Sequence, residues 1–235
     1  DYSQATRGPG HGDFRMLVLA PANVQEMADL TIKAFDLADK YRMTAMMFAD
    51  GTMGQMMEPV ELKPSTSAPA PKPWAANGTE NKRKHNIINS LILDTAYLEQ
   101  LNFDRYKKYA EIEKTEAMWE EFMMEDAEIC VVSYGITSRI SKNAIVDARK
   151  KGIKVGMIRP ITLWPFPKKP LLKAADSVKC FISVELSMGQ MMEDVELATR
   201  CKKPVYLCNR VGGMLPSPEE VCAAIEKANE GGAKA

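Results

Sequence analysis

The most glycine-dense stretch of the chain surrounds one of its two histidines. It reads Gly8-Pro9-Gly10-His11-Gly12-Asp13 and leads into an apolar run. Glycines let the backbone approach a ligand closely, and an imidazole between them can donate a hydrogen bond or a proton near neutral pH. A tight surface turn before a strand uses the same residues, and spacing alone favours that simpler structure. His11 is therefore a candidate for chemistry that needs further support.

A ten-residue motif, Met-Gly-Gln-Met-Met-Glu-Pro/Asp-Val-Glu-Leu, occurs twice in the chain. The copies are residues 53–62 and 188–197, and they differ only by Pro59 against Asp194. Each copy follows a short apolar run, so each is predicted to start where a buried strand ends. That edge of an α/β sheet is where ligands and partner domains bind. We interpret the two copies as equivalent strand-to-helix corners.

The motif supports two different predictions. On a helix, its methionines and valine lie four residues apart and would simply be core, which is the usual role of such a stripe. Gly54-Gln55 and Gly189-Gln190 instead fall at the opening turn, where unpaired amides can face a ligand or a neighbouring domain. Because no acid, base or metal-ligand set accompanies either copy, contact with a neighbouring domain or subunit is favoured over contact with a cofactor. We predict these four residues as an interface or ligand edge.

Charge and hydropathy exclude several classes of function. Lys plus Arg and Asp plus Glu number 31 each, which removes any whole-chain attraction to nucleic acid or an anionic membrane. No apolar run approaches the roughly 18 to 20 residues of a membrane span, and no secretory signal pattern is visible. A cytoplasmic protein that binds neither nucleic acid nor membrane is predicted. The five cysteines form no C-x-x-C pair and no cluster with histidine, which favours buried thiols over a metal site.

Apolar periodicity in the first half of the chain predicts an incomplete α/β layer. Residues 14–20 and 44–49 are predicted strands on either side of a helix that Asn23 caps. Residues 63–86 are rich in proline and polar side chains and are predicted to form a linker. A charged pattern over residues 94–122 is predicted to be helical and to bridge domains or pack on a partner.

From residue 126 to the end, short strands alternate with helices, which predicts a largely parallel sheet covered on both faces. The predicted strands are residues 128–135, 154–158, 181–184 and 204–208, and Ser138 is predicted to cap the helix after the first of them. The predicted domain division is 1–62, linker 63–86, bridging helices 87–125 and a second domain 126–235. The chain opens without Met and enters a strand after a glycine-rich stretch, so we expect it to begin in the middle of a domain.

Eight segments spread along the chain carry a family resemblance. In the first half they are residues 5–13, 17–21, 35–41 and 50–60. In the second half they are residues 126–128, 133–135, 159–167 and 185–191. The first set closely resembles the pyrimidine-binding domain of 2-oxoacid:ferredoxin oxidoreductases, best the branched-chain (2-oxoisovalerate) type. The second set looks like the domain of transketolase C-terminal type in the same subunit.

The resemblance implies an α/β fold in which part of a three-layer pyrimidine domain of a thiamine diphosphate enzyme precedes a transketolase C-terminal-like α/β/α domain. It also implies decarboxylation of a 2-oxoacid on thiamine diphosphate with Mg²⁺, transfer of the acyl group to coenzyme A, and electrons passing through [4Fe-4S] clusters to ferredoxin. The implied partners are a diphosphate-binding subunit, a gamma subunit and a ferredoxin-like subunit. The metal and cluster ligands would belong to those partners, so this chain alone is not expected to be active.

By the same resemblance, His11 would hydrogen-bond to substrate or intermediate, and Arg7, Gly10 and Gly12 would contact the cofactor. The pattern Asp50-Gly51 lacks the preceding glycine of a magnesium-binding motif, so no metal ligand is assigned to this chain. Two alternatives stay open. One is the β-type component of a lipoamide-linked 2-oxoacid dehydrogenase, which shares the domain pair. The other is a non-catalytic α/β module that binds a nucleotide or a protein partner.

Overall fold

The computed structural model describes residues 1–10, 12–62 and 71–231. The helices are α1 (Tyr2–Arg7), α2 (Val24–Tyr41), α3 (Gly51–Gln55), α4 (Thr95–Thr115), α5 (Gly135–Lys150), α6 (Lys168–Ala174), α7 (Gln190–Thr199) and α8 (Pro218–Asn229). The strands are β1 (Leu17–Leu19), β2 (Ala45–Met47), β3 (Trp119–Phe122), β4 (Ile129–Ser133), β5 (Val155–Pro160), β6 (Thr162–Trp164), β7 (Cys180–Glu185) and β8 (Val205–Asn209). Residues 63–70 of the predicted linker lie outside the described residues, and the domain division stays a prediction.

The smaller sheet has the strand order β2-β1-β6. Strands β1 and β2 are parallel and are joined by α2, as predicted. Asn23 caps α2 because its side-chain oxygen accepts a hydrogen bond from the amide of Glu26 at 2.7 Å. The sequence predicts a proline-rich connection where the structure has strand β6, so this prediction is wrong. The prolines flank this strand, where no ladder hydrogen bond is required of them, and β6 pairs antiparallel with β1.

The larger sheet has the strand order β3-β5-β4-β7-β8. Four neighbouring strands, β5, β4, β7 and β8, are parallel, as predicted, and β3 is an antiparallel edge strand. The predicted helix over residues 94–122 is therefore wrong at its end: α4 stops at Thr115. The segment Trp119–Phe122 instead forms a strand that pairs with β5, and the hydrogen-bonding groups at that edge of β5 thereby gain partners. This is a tertiary effect that overrides local helix propensity.

Helices cover the larger sheet on both faces. Ile129, Val131 and Ile182 contribute to one core, with α5 and α8, while Val132 and Phe181 contribute to the other, with α6 and α7. Because side chains alternate along a strand, this arrangement gives the predicted α/β/α layering. Helix α5 begins at Gly135, so the predicted cap Ser138 is wrong. The Ser138 hydroxyl lies inside the first turn and donates to the Gly135 carbonyl at 2.6 Å.

We call the elements α1 to α3 with β1 and β2 the N-terminal unit, and β3 to β5 with β7, β8 and α5 to α8 the C-terminal unit. A cluster of charged side chains joins them. The Arg159 guanidinium makes two hydrogen bonds to the Glu26 carboxylate of α2, at 2.7 and 2.8 Å, and one to Glu120 of β3 at 2.7 Å. Lys142 of α5 also pairs with Glu120. We refer to these four residues as the Arg159 cluster.

Helix α4 lies against both units through its C-terminal half. Of its 21 residues only Tyr109 and Ile112 are buried. The Tyr109 ring meets Trp164 of β6 edge-on, with ring centroids 5.4 Å apart, and its hydroxyl accepts a hydrogen bond from the Arg15 amide at 3.0 Å. No helix within the described residues is both long and apolar enough to cross a membrane.

Candidate functional site

A small crevice lies where the larger sheet changes direction. The chain passes from β4 to β5 on one side and later returns to β7 on the other side of β4, so the switch point lies between β4 and β7. Residues 134–137 after β4 and Leu186-Ser187 after β7 line a cavity of about 140 Å³. Residues 48–50, which follow β2, close it from the N-terminal unit. Ligands of open α/β sheets bind at such a switch point.

Three aromatic rings form the wall of this switch-point crevice. Tyr134 has its ring centroid 5.8 Å from that of Tyr2 and 6.2 Å from that of Phe48. Burial, and then the nearby carboxylates of Glu185 and Asp50, raise the pKa of Tyr134 well above its ordinary value. The phenol therefore stays protonated near neutral pH and can donate a hydrogen bond to a ligand acceptor.

A buried carboxylate directly precedes two lining residues of the crevice, Leu186 and Ser187. Glu185, at the end of β7, is fully buried and accepts hydrogen bonds from the amides of Met191 and Met192 at 2.9 and 3.0 Å. The hydroxyls of Ser183 and Ser187 also donate to it. The carboxylate thus caps the first turn of α7, whose amides have no partner within the helix. It uses its acceptor capacity on the protein itself, which indicates a structural role.

Asp50 closes the crevice from the N-terminal unit and caps α3. Its side chain accepts hydrogen bonds from the Met53 amide at 2.9 Å and, weakly, from the Ile136 amide at 3.4 Å. Gly135 has φ +59°, and a Cβ there would lie 3.4 Å from the Asp50 carboxylate. The sequence interpretation of Asp50 as a turn residue after a strand agrees with this position. Its contact with the start of α5 could not be predicted.

The loop of residues 8–13, which we call the glycine loop, joins α1 to β1. Gly8 has φ +99°, and a Cβ on it would meet the Phe14 carbonyl oxygen at 3.2 Å, so this position favours glycine. Gly10 and Gly12 are exposed, and a Cβ on Gly12 would meet nothing within 4 Å. His11 lies outside the described residues. The loop therefore presents accessible backbone at Gly10 and Gly12.

The two copies of the repeated motif have different structures, so the prediction that they are equivalent corners is wrong. Gly189 and Gln190 begin α7, as predicted. Gly54 and Gln55 instead end the five-residue helix α3, and both are exposed. The chain then continues without regular structure, because Pro59 has no amide hydrogen to donate and disfavours a helical residue before it.

The second copy is bound to α1. The Gln190 side-chain oxygen accepts a hydrogen bond from the Ser3 amide at 2.8 Å. The Asp194 carboxylate accepts one from the Tyr2 hydroxyl at 2.6 Å and pairs with the Arg7 guanidinium at 3.0 Å. Burial, and then Asp194, raise the pKa of Tyr2. Arg7, predicted to contact the cofactor, thus directs its guanidinium at α7.

The possible metal ligands and the cysteines of the described residues are the next feature of the site. Within residues 1–10, 12–62 and 71–231, no group of three or more His, Cys, Asp or Glu is placed to hold a metal ion. All cysteines are free thiols: Cys130, Cys180 and Cys222 are buried, as predicted, whereas Cys208 is half-buried and Cys201 is exposed. Burial raises the pKa of the Cys130 thiol, so it is an inert core residue.

Sequence reasoning missed Tyr134, which lines the crevice, and Glu185, which directly precedes the lining residues Leu186 and Ser187. Each directly follows or ends an apolar strand run and is the first large polar residue there. An acidic residue that terminates an otherwise apolar strand was the available signal, because such a carboxylate faces the carboxyl edge of a parallel sheet. Its partners on α7 follow within seven residues.

Comparison with known proteins identifies the family. Residues 1–124 match the model described as pyruvate flavodoxin/ferredoxin oxidoreductase, thiamine diphosphate-binding, and residues 127–221 match pyruvate:ferredoxin oxidoreductase core domain II. The chain is 47% identical over 234 residues to ketoisovalerate oxidoreductase subunit VorB of Methanothermobacter marburgensis, covering 97% of this chain and 64% of that protein. It is 34% identical to 2-oxoglutarate synthase subunit KorA of Methanocaldococcus jannaschii, covering 93% of this chain and 65% of that protein.

The fold agrees with a solved structure. The 2-oxoglutarate:ferredoxin oxidoreductase from Magnetococcus marinus matches with a TM-score of 0.74 at 18% identity, covering 96% of this chain and 44% of that chain. The predicted α/β fold is confirmed by this likeness. The first family model alone spans more than half of the sequence. The chain therefore belongs to the pyruvate flavodoxin/ferredoxin oxidoreductase family, whose thiamine diphosphate-binding domain and core domain II it matches in that order.

Proposed function

We propose that this chain is part of a thiamine diphosphate-dependent oxidoreductase that converts a branched-chain 2-oxoacid to its acyl-coenzyme A and passes electrons to ferredoxin. The observation that carries the proposal is the 47% identity to a ketoisovalerate oxidoreductase subunit, against 34% to a 2-oxoglutarate synthase subunit of similar coverage. The chain spans 64% of that relative's length, so the experiments below use the complete subunit.

The described residues fit a role at the border of a cofactor held mainly by a partner. Gly10 and Gly12 are exposed, and the space around Gly12 is free, so a ligand or a second subunit can approach the backbone there. Bound thiamine diphosphate supplies a carbon nucleophile for the 2-oxo group. This chain would contribute His11, as a hydrogen-bond donor to the substrate, and the backbone of the glycine loop.

Other subunits complete the proposed enzyme. We assign Mg²⁺, the diphosphate site and the [4Fe-4S] clusters to a diphosphate-binding, a gamma and a ferredoxin-like subunit. We also propose a cytoplasmic location, which is supported by five free cysteines, as in a reducing compartment.

Substrate and electron acceptor are tested with the complete subunit in its assembled complex. Reduction of viologen dye is measured with 2-oxoisovalerate, 2-oxoglutarate and pyruvate, each with thiamine diphosphate and coenzyme A. We expect the highest kcat/KM with 2-oxoisovalerate and no reduction without thiamine diphosphate. NAD reduction through a lipoyl carrier would instead support the lipoamide-linked alternative. Failure of the assembly to bind thiamine diphosphate in calorimetry would leave a non-catalytic module.

The role of His11 is tested against the only other histidine. His11→Ala should lower kcat/KM roughly tenfold, as expected for one lost hydrogen bond to a reacting group. His85→Ala is the matched control, because His85 is exposed and lies 74 positions away in the chain. Equal kinetics for His11→Ala and the unmodified complex would make His11 a turn residue only.

A further inference from the structure

The single difference between the two copies of the repeated motif lies at a contact between the two units. Position 59 carries proline in the first copy, and the corresponding position 194 carries an aspartate in the second. In the structure Asp194 binds both Tyr2 and Arg7, which are the first and last residues of α1. The motif copy with aspartate therefore has a contact that the copy with proline cannot make.

Helix α1 depends on this contact for its position. It has only six residues, and isolated helices of that length do not hold together in water. Asp1 provides no side-chain cap, so the first-turn amide of Ser3 has Gln190 as its partner instead. The Tyr2 ring is 2% exposed and its hydroxyl points to Asp194. Thus α7 supplies an acceptor for the Ser3 amide, an acceptor for the hydroxyl of the buried Tyr2, and a negative charge beside Arg7.

The end of α1 is also the start of the glycine loop. Arg7 pairs with Asp194 through its side chain, while its carbonyl oxygen accepts a hydrogen bond from the Arg15 guanidinium at 2.8 Å. The Phe14 ring lies 3.3 Å from the place of a Cβ on Gly10. Both ends of the loop are therefore fixed at one point, and that point is bound to α7.

We propose that Gln190 and Asp194 are positioning residues, which hold α1 on α7 and thereby fix the glycine loop for substrate. The consequence for substrate rests on the proposed function of that loop, whereas the consequence for loop order does not. Neither residue is assigned any contact with substrate. Gln190 acts through the Ser3 amide, and Asp194 acts through the side chains of Tyr2 and Arg7.

Hydrogen exchange tests the positioning without any assumption about activity. In the complete subunit, Gln190→Ala should speed exchange of the amides in residues 1–15 by about 3- to 10-fold, the effect of one lost hydrogen bond. Asp194→Ala should speed it by roughly 10- to 100-fold, since a charged partner is lost. Gln55→Ala is the matched control, because it makes the same change in the same motif where the side chain is exposed. It should leave exchange in residues 1–15 unchanged.

Steady-state kinetics of the assembled complex separates positioning from mere stability. We expect Gln190→Ala and Asp194→Ala to raise KM for the 2-oxoacid, and Asp194→Asn to lie between Asp194→Ala and wild type, because it retains an acceptor for Tyr2. Unchanged exchange in residues 1–15 for both alanine variants would overturn the proposal, as would a lower unfolding midpoint with KM unaltered. If the complex used no 2-oxoacid at all, the proposed function would fail, while the exchange result would still decide the positioning.

Discussion

The Arg159 cluster allows a quantitative prediction about what holds the two units together. The Arg159 side chain is 3% exposed and binds two carboxylates, Glu26 in the N-terminal unit and Glu120 on β3. Arg159→Met keeps most of the apolar volume and removes the charge. Removing one partner of a buried ion pair costs about 3 to 5 kcal/mol, because the other charge is left without compensation. Glu26 and Glu120 retain 27% and 33% exposure, so water replaces part of the loss, and we expect about 3 kcal/mol.

The effect should depend on pH in a defined direction. Burial alone would raise the pKa of Glu120, but the hydrogen bond from Lys142 and the charge of Arg159 hold it below its ordinary value of 4.5. A carboxylate with a lowered folded pKa contributes stability above the unfolded pKa and loses it as pH falls through the folded pKa. The difference between wild type and Arg159→Met should therefore be full at neutral pH and should shrink as the pH falls below 4.5.

Urea unfolding followed by tryptophan fluorescence measures this difference, since Trp119 lies on β3 beside the cluster. The matched control is Arg210→Met, whose pair with Glu220 is 43% and 40% exposed. Exposed pairs contribute about 0 to 1 kcal/mol, so this variant should stay close to wild type. If Arg159→Met lost no more free energy of unfolding than Arg210→Met, the cluster would not be a significant link between the units.

Two further predictions concern buried groups. Burial and adjacent carboxylates raise the pKa of Tyr2 and Tyr134, so two of the seven tyrosines should resist ionisation past pH 10.0 in an alkaline absorbance titration. Because the folded pKa values of Tyr2 and Tyr134 exceed the unfolded value, the stability that they contribute is complete below pH 10.0 and is lost as the pH rises through the folded pKa values. Ionisation of all seven tyrosines in one step would contradict the prediction. Gly156→Ala would place a Cβ 2.4 Å from the Met123 carbonyl oxygen and should cost about 1 to 3 kcal/mol in thermal unfolding or prevent folding. Gly51→Ala meets no atom within 4 Å and should change stability by less than about 0.5 kcal/mol.

The elements that sequence predicts well are those whose signals are local. Strand runs around β1, β4 and β7 are mostly apolar, and Asn23 with Glu26 three residues later forms a helix-start pattern. Strands β3 and β6 lack such signals. Each is short and forms because another strand offers an unpaired edge to it. Their partners lie far away in the chain, so periodicity alone could not reveal them.

The same distinction applies to the candidate site. The sequence predicted that Gln190 opens a helix at the edge of a sheet, because the preceding apolar run and glycine are local features. It could not predict that Ser3, 187 positions earlier, supplies the partner of Gln190. The pairing of Asp194 with Arg7 is equally distant. A sequence repeat suggested equivalence, but one proline changed the backbone that follows Gln55.

The switch-point crevice exists only when both units are in register. Asp50 and Phe48 come from the end of β2, whereas Tyr134 comes from the end of β4. Three contacts connect the N-terminal unit with the second half of the chain: the β1–β6 pairing, the Arg159 cluster, and the binding of α1 to α7. Loss of Arg159 removes one of these contacts and should for this reason alter the surroundings of Tyr134.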